Sequence, residues 1–383
     1  MIHRLLLLLA LLPFASRAAD ASLLATLTNP VSIVFNNAYK GTVEENEKAA
    51  AADPHSPVNY VLSLIASATG TLDVCVYDFS DPEIVAALLD SAGRGVQVRV
   101  VTETENTFDH ENPGQLRESI QHLNAAKIPV VSDERGGLMH NKFIIADGRT
   151  VWFGSMNLTH NALFRDNNNS LFVRSAELAG VFERQFDHLF TKREFGVTDQ
   201  LAAPPVVRVG DAEFTIHFSP DGGAQKAILA ALAPATNSIR FMVFAFTDRE
   251  IGGLLAKKKK AGLAVEGVFD ECQIDQYSEF RWLGKQGVKE WPDGNQALLH
   301  HKVMIIDDRT VCCGSYNFTK SAEQKNNETS VILRSPRIAA EFRAEFDRLV
   351  YASEHNRPVP PYDHPACQHD RSHADANKPA PRR

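Results

Sequence analysis

Short apolar runs and longer mixed segments alternate along this 383-residue chain. The short runs are partly β-branched and bounded by turn-forming residues, which is typical of strands. In the first part of the chain the pattern predicts strands near 31–35, 72–79, 95–102 and 128–131, and helices near 81–92 and 115–126. Strands that alternate with helices in this way indicate an α/β layer architecture.

The same order of segments occurs twice. Residues 73–89 match 240–255 in their apolar and acidic positions, and later in each half an Arg-Ser pair precedes similarly spaced phenylalanines. The duplication therefore covers nearly the whole chain. We expect two sheet-and-helix halves, at 22–195 and 205–352, connected near 202–206.

One polar pattern occurs once in each half. Residues 140–147 have the sequence HNKFIIAD and are followed by GSMN at 154–157. Residues 300–307 have the sequence HHKVMIID and are followed by GSYN at 314–317. The histidines at 140 and 300 are 160 residues apart, and each glycine follows its histidine by 14 residues. Two copies with the same internal offset are a strong signal of duplicated chemistry.

Each copy predicts a β-hairpin, because a buried apolar run ends in Asp-Gly or Asp-Asp. Alternation of side chains places His140 and Lys142 on one face of the first strand. A turn centred on 148–149 would set them across from Asn157 and Ser155, respectively. The second copy predicts the same arrangement for His300, Lys302, Asn317 and Ser315.

These residue types suit attack on a phosphodiester. Imidazole is a nucleophile that is largely neutral near pH 7. Two lysines and two amides can hold the charged phosphate oxygens without a metal ion. A second imidazole can protonate the leaving alkoxide and later activate water. We therefore expect no metal and no cofactor.

The pattern HxKxxxxD followed by GSxN, complete in both copies, resembles the signature of the phospholipase D superfamily, and the chain is similar to its secreted bacterial members. The resemblance implies two halves about a pseudo-two-fold axis, with one histidine from each half in a single site and a phosphohistidine intermediate. The motif segments span 134–161 and 294–321. The implied catalytic residues are His140, Lys142, Asp147, His300, Lys302 and Asp307. The implied phosphate-binding and supporting residues are Ser155, Asn157, Asn168, Ser315, Asn317 and Glu328.

The two aspartates stand at the hairpin turns, outside easy reach of a phosphate. We expect Asp147 and Asp307 to fix the hairpin and the neighbouring backbone, or to act as plain turn residues.

In that family an acidic residue downstream orients each histidine. Glu328 stands 28 residues after His300, whereas Asn168 stands at the same offset from His140. A carboxylate raises the basicity of an imidazole more than an amide does. We therefore expect His300 to keep its proton to higher pH and to be the general acid, with His140 as the nucleophile. His301 is expected to face away from the site, in a surface or packing role.

Composition limits the partners. The formal net charge is −7, so no strong overall field attracts nucleic acid or an anionic membrane. Lysines run consecutively only at 257–260, where we expect a solvated helix face, with a phosphate-binding or membrane-surface patch as the alternative. Three cysteines in apolar strand patterns are expected to be buried free thiols: Cys75, Cys312 and Cys313.

The two ends of the chain differ from its body. Residues 1–19 have the short basic start, apolar centre and small final residues of a secretory signal peptide, with an uncleaved anchor as the alternative. We therefore expect a secreted or periplasmic protein. Residues 353–383 are rich in Pro, His, Asp and Arg and predict a disordered tail.

Three functions compete. The first is a phospholipase D that hydrolyses phospholipids to phosphatidic acid and an alcohol, which the acidic balance and the aromatic residues within 277–299 favour. This interpretation allows peripheral contact with a membrane. The second is a secreted endonuclease acting on DNA or RNA. The third is a binding protein without turnover, against which the two intact motifs argue. No obligate protein partner is evident.

Overall fold

A computed structural model describes residues 21–36, 42–109, 111–197 and 204–356. The predicted signal segment at 1–19 lies outside the described residues, as do residues 357–383 of the predicted tail. Helix formation continues to His355, so the first three residues assigned to the tail are helical instead.

The described part of the first half forms a seven-stranded mixed sheet. Its strands are β1 (Val31–Phe35), β2 (Thr71–Val76), β3 (Gln97–Thr102), β4 (Val130–Ser132), β5 (Lys142–Ala146), β6 (Thr150–Gly154) and β7 (Asn169–Arg174). Its helices are α1 (Val43–Ala52), α2 (Pro57–Ser67), α3 (Pro82–Gly93), α4 (Glu118–Ala125), α5 (His160–Phe164) and α6 (Ala176–Phe190). The spatial order of the strands is β1-β7-β6-β5-β2-β3-β4.

The second half repeats this plan in an eight-stranded sheet built from described residues. Its strands are β8 (Val206–Val209), β9 (Ala212–Ser219), β10 (Ser238–Val243), β11 (Ala264–Phe269), β12 (Lys289–Pro292), β13 (Lys302–Ile306), β14 (Thr310–Gly314) and β15 (Glu328–Arg334). Its helices are α7 (Ala224–Leu232), α8 (Arg249–Lys260), α9 (Phe280–Lys285), α10 (Lys320–Gln324) and α11 (Pro336–His355). The order β12-β11-β10-β13-β14-β15-β9-β8 confirms the predicted duplicated α/β fold.

Repeated local signals start equivalent helices. The carboxylate of Asp81 accepts hydrogen bonds from the backbone N–H groups of Glu83 and Ile84 at the start of α3. Asp248 accepts the corresponding bonds at the start of α8. An N-cap of this kind satisfies N–H groups that have no partner within the helix. The matching acidic positions in the two halves therefore mark the same structural event.

The two sheets share one core. Helices α6 and α11 lie between them, and their buried phenylalanines, including Phe182 and Phe342, pack against the inner faces of both sheets. The outer face of the first sheet is covered by α2, α3 and α4 around Trp152, and that of the second by α7, α8 and α9 around Phe241. Because the middle core contains residues from both halves, the halves are held together by hydrophobic burial.

The register of both hairpins differs from the prediction by one residue. Phe143 pairs with Phe153, and the second hairpin pairs Met304 with Cys312. The reason is the turn: Asp147 and Gly148 both have positive φ, and the N–H of the next residue, Arg149, bonds to the carbonyl before them.

Arg149 is then an extra residue before the paired strand resumes. The predicted cross-hairpin pairs, His140 with Asn157 and Lys142 with Ser155, are therefore wrong, and so are their counterparts in the second copy.

The three predicted thiols, Cys75, Cys312 and Cys313, are confirmed as buried and free. Cys272 is disulfide-bonded. Among the described residues, no helix combines the length and the apolar character needed to cross a bilayer.

Candidate active site

The two halves exchange short strand pairings at their interface. The N–H of His140 donates to the carbonyl of Asn327 (2.9 Å), and the N–H of Asn327 donates to the carbonyl of Leu138 (2.8 Å). The reciprocal bonds join His300 and Leu298 to Asn167, at 2.9 and 2.8 Å. The residue before each strand β7 and β15 therefore pairs with the segment that carries the histidine of the other half. This reciprocity is what a pseudo-two-fold axis requires.

Glycine allows this approach. A Cβ atom at Gly154 would collide with the backbone carbonyl of Asn169, and one at Gly314 with that of Thr329. The serine after each glycine instead donates its N–H to that same carbonyl, at 3.2 Å in the first half and 2.9 Å in the second. The Gly-Ser pair of each motif thus brings a serine hydroxyl to the start of the neighbouring strand.

One side of the site joins His140 to a carboxylate. Its Nδ1 lies 2.7 Å from Oε2 of Glu328, and both side chains are buried. Glu328 also accepts hydrogen bonds from Ser315 Oγ (2.6 Å) and Asn326 Nδ2 (3.1 Å). Burial raises the pKa of Glu328 to about 8, against the opposing effect of the nearby Lys142. The carboxyl group and the imidazole therefore share a proton near neutral pH.

The other side joins His300 to an amide. Its Nδ1 lies 3.1 Å from Oδ1 of Asn168, which also accepts the Ser155 hydroxyl at 2.8 Å. An amide oxygen can only accept, so Nδ1 of His300 carries the proton and Nε2 has a free lone pair. Burial lowers the pKa of His300 well below its ordinary value, and the charges of Lys302 and Lys142 lower it further.

The predicted partners of the two histidines are thus exchanged. Glu328 contacts His140, not the histidine of its own half, and Asn168 contacts His300. The cause is the reciprocal strand pairing, which carries the start of β15 beneath the first motif and the start of β7 beneath the second. The expectation that His300 keeps its proton to higher pH is therefore wrong, because the carboxylate lies beside the other imidazole.

Each lysine lies between its histidine and an aromatic ring. Lys142 Nζ donates to the carbonyl of His140 (2.8 Å) and lies 4.9 Å from the centre of the Tyr77 ring. Lys302 Nζ repeats this with its own histidine at 2.8 Å and with Phe244 at 4.7 Å. Both lysines are buried, and burial lowers the pKa of Lys142 to about 7. The site therefore concentrates cationic groups in a poorly solvated place, where an anion is well held.

Tyr77 and Phe244 were not predicted. Each ring centre lies 4.9 Å from the neighbouring imidazole, His140 or His300, in an edge-on arrangement. A signal was present in the sequence, since both aromatics immediately precede the duplicated segments that begin at 78 and 245.

Two buried acids were also missed. Glu103 Oε2 accepts the N–H of Met139 at 2.6 Å, and Asp270 Oδ2 accepts the N–H of Leu299 at 2.8 Å. Each therefore holds the residue just before a catalytic histidine. Burial and the neighbouring Asp133 raise the pKa of Glu103 to about 8.

The two motif asparagines follow the serines by two residues. The side-chain oxygens of Asn157 and Asn317 are buried and have no hydrogen-bond partner among the described residues. A buried polar atom without a partner is costly, so a bound molecule that supplied one would be stabilised here.

Asp147 and Asp307 do not reach the site. They lie at the far ends of β5 and β13, roughly 16 Å along the strand from the lysines. Asp147 accepts hydrogen bonds from the N–H groups of Thr69, Gly70 and Thr71, and Asp307 accepts the equivalent three bonds just before β10. Their assignment as catalytic is therefore wrong, whereas the expectation that they fix the hairpin to neighbouring backbone is confirmed.

The lysine run also lies away from the site. It forms the last turn of α8, at the end opposite to the helix start that faces the site edge of the sheet. Lys258 Nζ donates to the carbonyls of Ala233 and Ala235. Cations in the last turn interact favourably with the helix dipole, so local structure accounts for this run.

Comparison with known proteins agrees with this geometry. The family model described as "Cardiolipin synthase, PLD-like domain" matches residues 61–190 and again residues 228–350. The chain belongs to the phospholipase D-like family. The double match coincides with the two sheets, one phospholipase D-like unit in each half.

Two curated relatives of this phospholipase D-like chain match over about a third of it. A mitochondrial cardiolipin hydrolase from Chlamydomonas reinhardtii is 31% identical over 138 residues, which are 36% of this chain and 59% of the relative. A phospholipase D from Rickettsia bellii is 35% identical over 129 residues, which are 34% of this chain and 61% of the relative. The chain thus spans about six-tenths of the length of these curated relatives.

Among solved structures, a phosphatidylserine synthase from Haemophilus influenzae Rd KW20 has the same fold. The two structures align with a TM-score of 0.59 and 14% sequence identity, over 82% of this chain and 85% of the synthase. At this identity the likeness concerns the fold alone.

Proposed function

We propose that the protein is a metal-independent phosphodiesterase that hydrolyses phospholipids to phosphatidic acid and an alcohol. The observation that carries the proposal is the reciprocal site, in which each half supplies a histidine and a lysine and orients the histidine of the other half.

The two imidazoles differ in a way that suits two roles. His300 is neutral, with its Nδ1–H held by Asn168, so its Nε2 attacks phosphorus and forms a phosphohistidine. His140 shares a proton with Glu328 and donates that proton to the departing alkoxide. The deprotonated His140 then takes a proton from water, whose oxygen attacks phosphorus and releases His300. This order reverses the one expected from the sequence.

The remaining groups hold the phosphate. Lys142 and Lys302 neutralise its non-bridging oxygens, and the amides of Asn157 and Asn317 donate to them. Donors that are fixed before the reaction stabilise the charge of the transition state without reorganisation.

Three observations support a phospholipid rather than a nucleic acid. The named relatives are a cardiolipin hydrolase and a phospholipase D. The consecutive lysines at 257–260 bond to local backbone at the far end of a helix, so they form no cationic groove beside the site. The net charge of −7 disfavours the counterion-driven binding on which nucleic-acid enzymes depend.

The test compares substrates side by side. Vesicles of phosphatidylcholine, vesicles of cardiolipin and single-stranded DNA would each be incubated with the wild-type chain and with the His300→Ala variant. Release of phosphatidic acid by the wild type alone supports the proposal. DNA cleavage without lipid turnover would establish the endonuclease instead, and turnover that survives His300→Ala would contradict the two-histidine site.

A second experiment addresses the roles. Acid quenching during turnover, followed by peptide mapping, should find the phosphoryl group on His300. A phosphoryl group on His140 would reverse the assignment and leave the reaction type intact.

We also propose export of the protein, supported by the composition of residues 1–19. Sequencing of the N-terminus after secretion should show cleavage at the end of this segment, and a protein that retains it would contradict the proposal.

A further inference from the structure

A buried polar chain leads from the nucleophile side of the site to helix α11. It contains a histidine that the proposed reaction does not use, His301, which follows His300 directly. His301 is fully buried, so the expected packing role is closer than a surface role, but its ring makes two polar contacts. Nδ1 lies 2.9 Å from Asn169 Nδ2, and Nε2 lies 3.4 Å from Glu345 Oε1.

The direction of these bonds follows from the groups involved. Glu345 is fully buried, and its other oxygen accepts two hydrogen bonds from the Arg348 guanidinium, at 2.6 and 3.0 Å. A carboxylate paired with a guanidinium only accepts, so His301 donates Nε2–H to it. Burial also lowers the pKa of His301, which keeps the ring neutral and leaves Nδ1 as an acceptor. Nδ1 therefore requires the NH₂ group of Asn169.

Asn169 passes this constraint to the site. Its Nδ2 also donates to Ser155 Oγ (3.3 Å), and its backbone N–H donates to the same oxygen (3.1 Å). With two bonds accepted, the hydroxyl of Ser155 has only its proton to offer, and it gives that proton to Asn168 Oδ1 at 2.8 Å. Asn168 Oδ1 then faces His300 Nδ1 as an acceptor.

The first half has no such chain. The positions 160 residues earlier or later hold Asn141 in place of His301, Thr329 in place of Asn169, and Gln185 in place of Glu345. Thr329 Oγ1 donates to Asn141 Oδ1 at 2.8 Å, and Nε2 of Gln185 has no hydrogen-bond partner among the described residues. A histidine and a carboxylate thus underlie only the half-site in which the catalytic histidine is oriented by an amide.

We propose that His301 and Glu345 are positioning residues that fix the tautomer of His300. They set the orientation of the Asn169 amide, which commits the Ser155 proton to Asn168 and leaves the Nε2 lone pair of His300 directed at phosphorus. On the other side Glu328 orients His140 directly, so no further ionisable pair is needed. The inference rests on the proposed function in one respect, because it takes His300 to be the attacking residue.

The test reads the tautomer directly, without any substrate. In the chain labelled with ¹⁵N-histidine, the two ring nitrogens of His300 would be assigned by their loss in His300→Asn, and the protonated nitrogen identified from its shift. The wild type should show a single Nδ1–H tautomer. His301→Leu and Asn169→Leu, which break adjacent links, should each give a mixture. Asn141→Leu, the matched change in the other half, should leave the His300 signals unchanged.

Kinetics supply the second readout. With bis(4-nitrophenyl) phosphate, the burst of phenolate reports formation of the phosphohistidine. His301→Leu and Asn169→Leu should each slow the burst about 10- to 100-fold, with KM changed little, as expected for outer partners of a reacting group. The double variant should be no slower than the slower single variant, because both changes break one chain. His301→Asn, which restores an acceptor near the Nδ1 position, should recover the tautomer and most of the burst rate.

Each outcome has a meaning. A single Nδ1–H tautomer and a wild-type burst rate in both leucine variants would overturn the inference. If those variants lack a cooperative unfolding transition, Glu345→Gln decides, because its amide can present an N–H to His301: unchanged His301 and His300 tautomers would then overturn the inference. Tautomer changes with no turnover of any phosphodiester would support the hydrogen-bonded chain and contradict the proposed function.

Discussion

The imidazole of His140 and the carboxyl group of Glu328 come from different halves of the chain and lie 2.7 Å apart. The proton that they share is the one that the leaving alkoxide needs. Replacing Glu328 by Gln keeps a hydrogen-bond acceptor but removes the charge that stabilises a protonated imidazole. We expect kcat to fall about 100-fold, the lower end of the usual contribution of general acid catalysis. The alkaline limb of the pH–rate profile should move to lower pH.

The control is Glu213→Gln, which removes a carboxylate of the same half from an exposed ion pair with Arg208. It should leave the profile unchanged. A wild-type pH profile in Glu328→Gln would show that the carboxyl group only orients the ring.

The reciprocal change tests the other half-site. Asn168→Asp would place a carboxylate beside His300, whose pKa is now lowered by burial and by the lysines. The added negative charge favours the protonated ring, which has no lone pair for attack. Activity at neutral pH should fall, and the acid limb should move to higher pH. Asn168→Ala removes the acceptor without adding charge, so it should lower kcat while leaving the position of that limb unchanged; equal shifts in both variants would contradict the argument.

The exchange of Glu328 and Asn168 shows where the sequence stops being informative. The duplicated motif was sufficient to predict two α/β halves and a site with two histidines, because motif spacing is a local property. The partner of each histidine depends on how the halves dock. At equal offsets, Asn168 and Glu328 were each assigned to the histidine of their own half, and only the strand pairing across the interface through Asn167 and Asn327 reverses this.

The one-residue error in the hairpins has a different physical origin. Asp147 and Gly148 both adopt positive φ, which adds a residue to the turn and shifts the register of every pair after it. An Asp-Gly pair indicates such a turn. The Asp307-Asp308 pair does not, yet it adopts the same conformation, because the Asp307 carboxylate is bonded to three backbone N–H groups.

The pKa of Lys142 predicts a pH dependence of phosphate binding. Burial lowers this pKa from its ordinary value to about 7. As pH rises through that value the free enzyme loses the positive charge, so kcat/KM should fall above about pH 7. Bound phosphate favours the charged lysine, so kcat should begin to fall only at higher pH. Steady-state kinetics across the neutral and alkaline range check both limbs, and a flat kcat/KM far above neutrality would show that Lys142 titrates normally.

Asp147 should matter for stability and not for chemistry. Its carboxylate accepts hydrogen bonds from three consecutive backbone N–H groups before β2. Asp147→Ala should lower the free energy of unfolding by about 2 kcal/mol, the usual worth of hydrogen bonds to a charged group. Folded enzyme should keep its kcat. Urea unfolding and assays at low temperature check the two parts, with Asp147→Asn, which also tolerates positive φ, as the milder variant. A loss of kcat in a fully folded Asp147→Ala protein would return this residue to the catalytic set.

Tyr77 lies in edge contact with His140 and under the ammonium group of Lys142, in the position that Phe244 occupies in the other half. The shared feature is the ring, so the ring face and not the hydroxyl should hold the lysine. We expect Tyr77→Phe to keep activity close to that of the wild type. Tyr77→Leu removes a desolvated cation–π contact of about 1–2 kcal/mol and should lower kcat/KM about 5- to 30-fold.

The same pair of substitutions at the second half-site provides the matched control, because Phe244→Tyr and Phe244→Leu change the ring beside Lys302 in the same way. If the ring is what matters, the tyrosine variant is active and the leucine variant is impaired, as at position 77. Strong loss in Tyr77→Phe alone would instead indicate that the hydroxyl takes part in the reaction, and would make the two aromatic positions chemically different. The comparison uses the pseudo-symmetry of the site itself, so each half serves as the reference for the other.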